Sequence, residues 1–166
     1  MLNGRARKIA AVALALALAG GALVADAAQA SEPSCGAFTL IGGEKGVNVI
    51  DHPPAGKSAG DVRAGWRRLA DEGGAATGTV HYVAVLTEPG ATGGDVLAGD
   101  YYVRLTDGTI AAQTLYQLPD STDTSQKAQN AILIVTGGTG IFAGAGGTIE
   151  IVAGEAPRYV FDLACR

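Results

Sequence analysis

The sequence predicts an all-β chain whose antiparallel strands close into a barrel, and three observations carry that expectation. Apolar, β-branched segments of roughly five to ten residues recur from Ala37 to Leu163, separated by Gly, Pro and Asp. Asp107-Gly108 stands between two of them, and a two-residue Asp-Gly pair, tolerant of positive φ, is a strong hairpin signal. Some segments are apolar on both alternating faces, as in Val80-His81-Tyr82-Val83-Ala84-Val85-Leu86. Such a strand belongs to a sheet covered on both sides. In an all-β chain this small, that means a closed barrel with its outside covered by another subunit. Eight or so strands would enclose room for side chains or one small ligand.

The elements follow in order. Arg5, Arg7 and Lys8 precede an uncharged stretch from Ile9 to Ala25, and Ala28-Gln29-Ala30 fits a signal-peptidase site. Residues 1–30 are therefore read as a secretory signal peptide, and 31–166 as a single β-barrel domain, secreted or periplasmic. A stable membrane anchor is not expected, because the apolar run falls short of the ~18–20 residues that span a bilayer and Gly20-Gly21 interrupts it. Arg5 and Arg7 are separated by Ala6, unlike a twin-Arg signal, and Cys35 follows Glu32-Pro33-Ser34 rather than an apolar run that would precede a lipidated cysteine.

Cys35 and Cys165 lie at opposite ends of the mature chain, and two lone cysteines in an oxidising compartment most simply pair. Strands are read near Ala37–Ile41, Val47–Ile50, Asp61–Leu69, Thr79–Thr87, Asp100–Thr106, Thr109–Leu118, Asn130–Thr136, Thr148–Val152 and Arg158–Leu163. Asp61–Glu72 keeps a helical alternative open, since Val62, Trp66 and Leu69 fall at helical spacing. Pro89 through Gly94 and Pro119 through Gln126 read as loops.

Charge and motifs exclude several functions. The chain carries 12 Lys+Arg against 16 Asp+Glu, so it lacks the basic stripe that nucleic-acid binding needs. Gly138-Thr139-Gly140-Ile141-Phe142-Ala143 matches G-x-G-x-x-G/A, but glycines and a strand follow where a phosphate-binding helix is required. Gly56-Lys57-Ser58 lacks the first P-loop glycine, that position being Asp51. No His, Cys and carboxylate cluster has metal-ligand spacing, and no G-x-S-x-G elbow exists.

The stretch from Asn130 to Gly147, an apolar strand followed by Thr136-Gly137-Gly138-Thr139-Gly140-Ile141-Phe142-Ala143-Gly144-Ala145-Gly146-Gly147, resembles the signature of the allene oxide cyclase and dirigent superfamily. Gly60-Asp61-Val62 is similar to the Gly-Asp that opens the second barrel strand of bacterial members. Gly108-Thr109-Ile110-Ala111-Ala112-Gln113-Thr114-Leu115-Tyr116 is similar to the family's G-x-I-x-x-Q-G-P-Y, with Thr114-Leu115 in place of Gly-Pro.

The resemblance implies an eight-stranded antiparallel closed barrel of the allene oxide cyclase and dirigent type, with a hydrophobic cavity and often oligomeric as a homodimer or homotrimer. It implies a cyclase or isomerase that needs no cofactor and folds a hydrophobic small-molecule substrate for ring closure. The family's first-strand E-x-N-x-x-D pattern maps onto Asn48 and Asp51, with Gly46 at the glutamate position and Glu44 two residues earlier. Glu44, Asn48 and Asp51 are thus the candidate catalytic residues. Tyr82, Tyr102, Gln113 and Tyr116 are the candidate binding residues, and His81 reads as a structural or surface histidine. A non-catalytic dirigent-like or ligand-binding barrel, and a structural barrel with a filled interior, remain as alternatives.

Overall fold

The structure is a computed structural model that describes residues 35–91, 94–118 and 130–165. The predicted signal peptide and the predicted Pro119–Gln126 loop lie outside the described residues. Eight strands follow one another: β1 (Ala37–Ile50), β2 (Val62–Ala70), β3 (Ala76–Ala91), β4 (Gly94–Leu105), β5 (Gly108–Leu118), β6 (Ala131–Gly138), β7 (Gly146–Val152) and β8 (Arg158–Ala164). Each pairs antiparallel with its neighbour, and β8 returns to β1 through Ala37↔Asp162 to Ile41↔Arg158, closing the barrel. Closure leaves no sheet edge to template aggregation.

The hairpin expected at Asp107-Gly108 joins β4 to β5 through an unbroken ladder from Leu105↔Gly108 to Asp95↔Leu118. Three details differ from the sequence reading. The two segments read before Asp51 are one strand, β1, continuous through a bulge between Gly42 and Lys45. The Pro89 turn is narrower than a loop: β3 runs on to Ala91 and β4 starts at Gly94. The Trp66 segment is strand rather than helix, because β1 and β3 hydrogen-bond it on both sides and that pairing outweighs its helical spacing.

Residues directly opposite in a ladder share a face, so the register sorts the interior. One end of the barrel is solid. Phe38 stacks on Phe161 with centroids 4.3 Å apart and lies 6.5 Å from Phe142. Leu40, Val103, Leu105, Ile110, Ile149 and Leu163 pack around them, each nearly inaccessible to solvent. The Cys35–Cys165 disulfide, with Cα atoms 5.9 Å apart, ties the two chain ends together beside this plug.

The glycine-rich loop has a structural task here. Between β6 and β7 it makes a single 3-10 turn, Gly140–Phe142, which drives the fully buried Phe142 ring into the barrel end. Gly140 has φ +63°, and a Cβ there would run into the Asp107 carbonyl, which accepts the Ile141 N–H at 3.1 Å. The loop thus docks on the β4–β5 hairpin only because residue 140 lacks a side chain. Gly140→Ala is expected to cost ~1–2 kcal/mol from the left-handed backbone alone. Calorimetry should then show a thermal midpoint roughly 4–8 °C lower; an unchanged midpoint would mean the docking is dispensable.

The outward register is unusually apolar, as the two-faced strands predicted. Val83, Val85, Leu115, Ile132 and Ile134 are all exposed on it, Leu115 at 69%.

Candidate functional site

The other half of the barrel is built differently. Across β1 to β5, one inward row reads Val47, Gly65, Tyr82, Tyr101, Ala112, and the next reads Val49, Arg63, Ala84, Gly99, Thr114. The apolar interior is divided here. The large cluster fills the closed end, while Ala84, Leu86 and Leu97 form a smaller one with Tyr116 and Leu118. Between them runs a belt of tyrosines and arginines.

Tyr82 and Tyr101 stack with ring centroids 5.5 Å apart and planes at 21°. Gly65 makes room for this pair, because a Cβ there would meet the Tyr82 ring at 2.6 Å. Tyr101, only 7% exposed, has its hydroxyl in hydrogen-bonding contact with that of Tyr116. Burial raises the pKa of Tyr101 above the ordinary phenol value, and the neighbouring Tyr116 adds to the rise. Burial likewise raises Tyr82 and Tyr159. These phenols therefore stay protonated at any physiological pH and serve as neutral hydrogen-bond donors.

Two cations join the belt from β2. The stem of Arg67 crosses the bare backbone of Gly42, where an added Cβ would meet its Cδ at 2.6 Å. Its guanidinium donates to the Gly43 carbonyl at 2.9 Å and to the Tyr159 hydroxyl. Arg63 lies two inward positions beyond Arg67 toward the rim, opposite Ala84. Val47 and Val49 share this inward face yet are 51% and 57% exposed, so the interior opens to solvent beside the belt.

The rim is braced by two carboxylates. Asp95, 5% exposed, accepts the Gly90 N–H at 3.1 Å and pairs with Lys57 at 3.0 Å. Burial opposes its charge, but the Gly90 N–H and Lys57 outweigh it and hold the pKa below the usual range. Asp61, from the Gly-Asp motif, accepts the N–H of Ser58 at 3.0 Å and of His52 at 2.9 Å, and the Ser58 hydroxyl at 3.1 Å. These bonds fold the segment between β1 and β2 against the rim, and the Ser58 and His52 N–H groups lower the Asp61 pKa.

A carboxylate with a depressed folded pKa contributes stability above its unfolded value, and that contribution is lost as pH falls through the folded one. The stability gap between wild type and Asp61→Asn should thus be widest near neutrality and close as pH drops below the ordinary 3.8. Denaturant titrations at several pH values would show it, and a gap independent of pH would remove the charge from the account.

Of the residues singled out in the sequence, Tyr82 and Tyr116 lie in this belt. The others do not converge on it. The bulge in β1 is the reason: three steps from Gly42 to Lys45 match two on β2, from Leu69 to Arg67. One extra residue exchanges the faces. Leu40 and Gly42 point inward, then Lys45, Val47 and Val49 do, while Gly46 and Asn48 face outward.

Glu44 sits in the bulge, exposed, with its carboxylate on Arg68 at 3.0 Å. Gly46 lies against the Trp66 indole, which a Cβ would meet at 2.6 Å. Asp51 is exposed and accepts the Gly56 N–H at 3.2 Å. Tyr102 and Gln113 lie on the outward register, where Gln113 donates to Asp100 at 2.8 Å. They line two open surface grooves: Tyr102 with Trp66, His81 and Val83 in one of about 340 Å³, and Gln113 with Leu115 and Ile134 in one of about 500 Å³.

Arg63, Arg67, Asp95 and Tyr159 were not singled out in the sequence. Alternation from the Asp107-Gly108 hairpin would have separated the tyrosines, because a solvated Arg104 puts Tyr102 outside and Tyr101 inside. No sequence signal marks inward arginines, since a charge inside a barrel contradicts the hydrophobic pattern used to find the interior.

No protein-family model matches the sequence, and no curated protein matches it. Solved structures do match. A pyocyanin demethylase superposes with a TM-score of 0.65 at 21% identity, over 77% of this chain and 99% of that one. A nonspecific heme-binding cyclase of neoabyssomicin biosynthesis gives a TM-score of 0.52 at 17% identity, over 79% of this chain. The Diels-Alderase AbmU from Streptomyces koyangensis gives 0.50 at 16% identity, over 76% of this chain. The chain spans 63% and 59% of the length of those two proteins. At these identities the likeness shows one thing: the chain has the barrel fold of these proteins.

Proposed function

We propose that this protein is an exported barrel cyclase or isomerase, working without a cofactor and related to the allene oxide cyclase and dirigent type. It would take a hydrophobic small molecule into the open half of the barrel and hold it for ring closure. The observation that carries this reading is the inward-facing tyrosine belt, with Tyr101 and Tyr159 buried and Tyr82 and Tyr116 half-buried, beside an interior face where Val47 and Val49 remain open to solvent. The disulfide accords with export, since an oxidising compartment preserves such bonds. Names among the structural neighbours, a Diels-Alderase and a cycloaddition cyclase, support ring-forming chemistry in this fold.

The chemistry this site can offer is orientation and polarisation. The stacked Tyr82 and Tyr101 rings present a flat wall against which a flexible chain loses its conformational freedom. Phenol hydroxyls and the Arg67 guanidinium are fixed donors for an oxygen that gains negative charge as a bond forms. A second reading, a barrel that binds without bond chemistry, is favoured by one observation. Asp95 and Asp61 are the buried carboxylates among the described residues, and both are already engaged, Asp95 by Lys57 and Asp61 by the Ser58 and His52 N–H groups.

The test is native mass spectrometry against a library of hydrophobic polyenes and conjugated aromatics, followed by chromatography of each retained compound. Cyclisation and isomerisation conserve mass, so turnover appears as a new retention time at constant mass. That shift, slowed at least tenfold in Tyr101→Phe, is the expected result. Recovery of every bound compound unchanged would establish the binding reading instead.

A further inference from the structure

We infer that the barrel selects organic anions, specifically conjugated or aromatic carboxylates and enolates; this deepens the proposed function and rests on it. The argument is one of charge placement. The chain as a whole is acidic, with a net charge of −4. Its inward register in the open half is the reverse. Arg63 and Arg67, half-buried, face inward by their pairing with β3, and the bulge turns the exposed Lys45 to the same face beside Arg67.

None of the three forms an ion pair with a carboxylate among the described residues, where the ion pairs are Lys57–Asp95, Arg68–Glu44 and Arg158–Glu72. Of the buried carboxylates, Asp61 is met by the Ser58 and His52 N–H groups, and Asp95 by Lys57 and the Gly90 N–H, with Arg63 adding only a weaker attraction from beyond ion-pair distance. Arg67 uses only part of its donor set, on a backbone carbonyl and a neutral phenol, which leaves further N–H groups and the charge uncompensated.

Unpaired guanidinium groups are costly where water is partly excluded, and an incoming anion removes that cost. The geometry also defines the rest of the ligand. A planar guanidinium fork fits a carboxylate or enolate oxygen pair, while the Tyr82–Tyr101 wall fits a flat conjugated body. An acidic exterior with a cationic interior focuses small anions into the opening beside Val47 and Val49.

The experiment is a calorimetric titration of the full folded chain with 2-naphthoate and with its neutral isostere 2-naphthamide, at low and at physiological salt. The expected result is at least a tenfold preference for the acid at low salt, shrinking as salt is added. In Arg63→Gln the preference should fall to threefold or less with the thermal midpoint unchanged. Arg67 also supports Gly43 and Tyr159, so Arg67→Lys serves beside it: that variant keeps the charge and should retain most of the preference.

Equal binding of acid and amide, or a preference that survives both Arg63→Gln and Arg67→Gln, overturns the inference while leaving a small-molecule barrel in place. Failure of both probes to bind overturns the inference together with the reading beneath it.

Discussion

Replacing Cys35 and Cys165 by serine is expected to cost about 4–5 kcal/mol of stability, which a chain-entropy argument assigns to a cross-link over so long a loop. The two residues are 130 apart in sequence, so the bond closes nearly the whole described chain into one loop. Cutting it releases that loop in the unfolded ensemble while removing little from the folded one. For a domain of this size the thermal midpoint should drop by roughly 15 °C. The competing possibility is that pairing of β1 with β8, together with the Leu163 N–H on the Gly36 carbonyl at 3.1 Å, already holds the ends. A drop under about 5 °C would favour that pairing. Ligand binding at the opposite half of the barrel should survive the substitution at temperatures where the variant is folded.

Phe161→Ala is expected to cost about 3–5 kcal/mol, the range for deleting a fully buried aromatic ring. Phe161 has no accessible surface, stacks on Phe38 and lies opposite Ile149 across β7. Its neighbours come from strands fixed by hydrogen bonds on both sides, so they have little freedom to close the void. Chemical denaturation would give the value, and a loss below about 1 kcal/mol would mean the closed end is loosely packed rather than a plug. The plug matters to function because it anchors the belt: Tyr101 belongs to the same packed cluster as Phe161.

Much of this architecture is legible in the residues. Strand positions follow from β-branched runs, the Asp107-Gly108 hairpin from its two turn residues, and the disulfide from two lone cysteines at opposite ends of the strand-forming region. The rejection of a dinucleotide site at Gly138–Ala143 also follows from the sequence, because no helix can begin among those glycines, and the structure has a single 3-10 turn there. What the residues do not announce is the bulge at Gly42 to Lys45. Sequence alternation carries face assignments along a strand only while the ladder is regular, and one unpaired residue reverses every assignment beyond it.

That reversal moves Asn48 outside and brings Val47, Val49 and Lys45 inside. Glu44 and Asn48 therefore stand away from the belt, although a continuous strand would have put them on one face with Gly46. Arg63 and Arg67 escape notice for a related reason. They read as solvated charges on an amphipathic strand, and their inward direction becomes visible only once their partners Ala84 and Val80 are known to be buried.

The most direct test of the central claim, that the open half of the barrel takes up a small molecule against the tyrosine belt, is an isotope-filtered nuclear Overhauser experiment. It would use whichever of 2-naphthoate and 2-naphthamide binds the isotopically labelled protein. The account predicts contacts from the naphthalene protons to Tyr82, Tyr101, Val47 and Val49, with none to Leu115 or Tyr102. Contacts confined to the outer grooves, at Leu115, Ile134 or Tyr102, would contradict it.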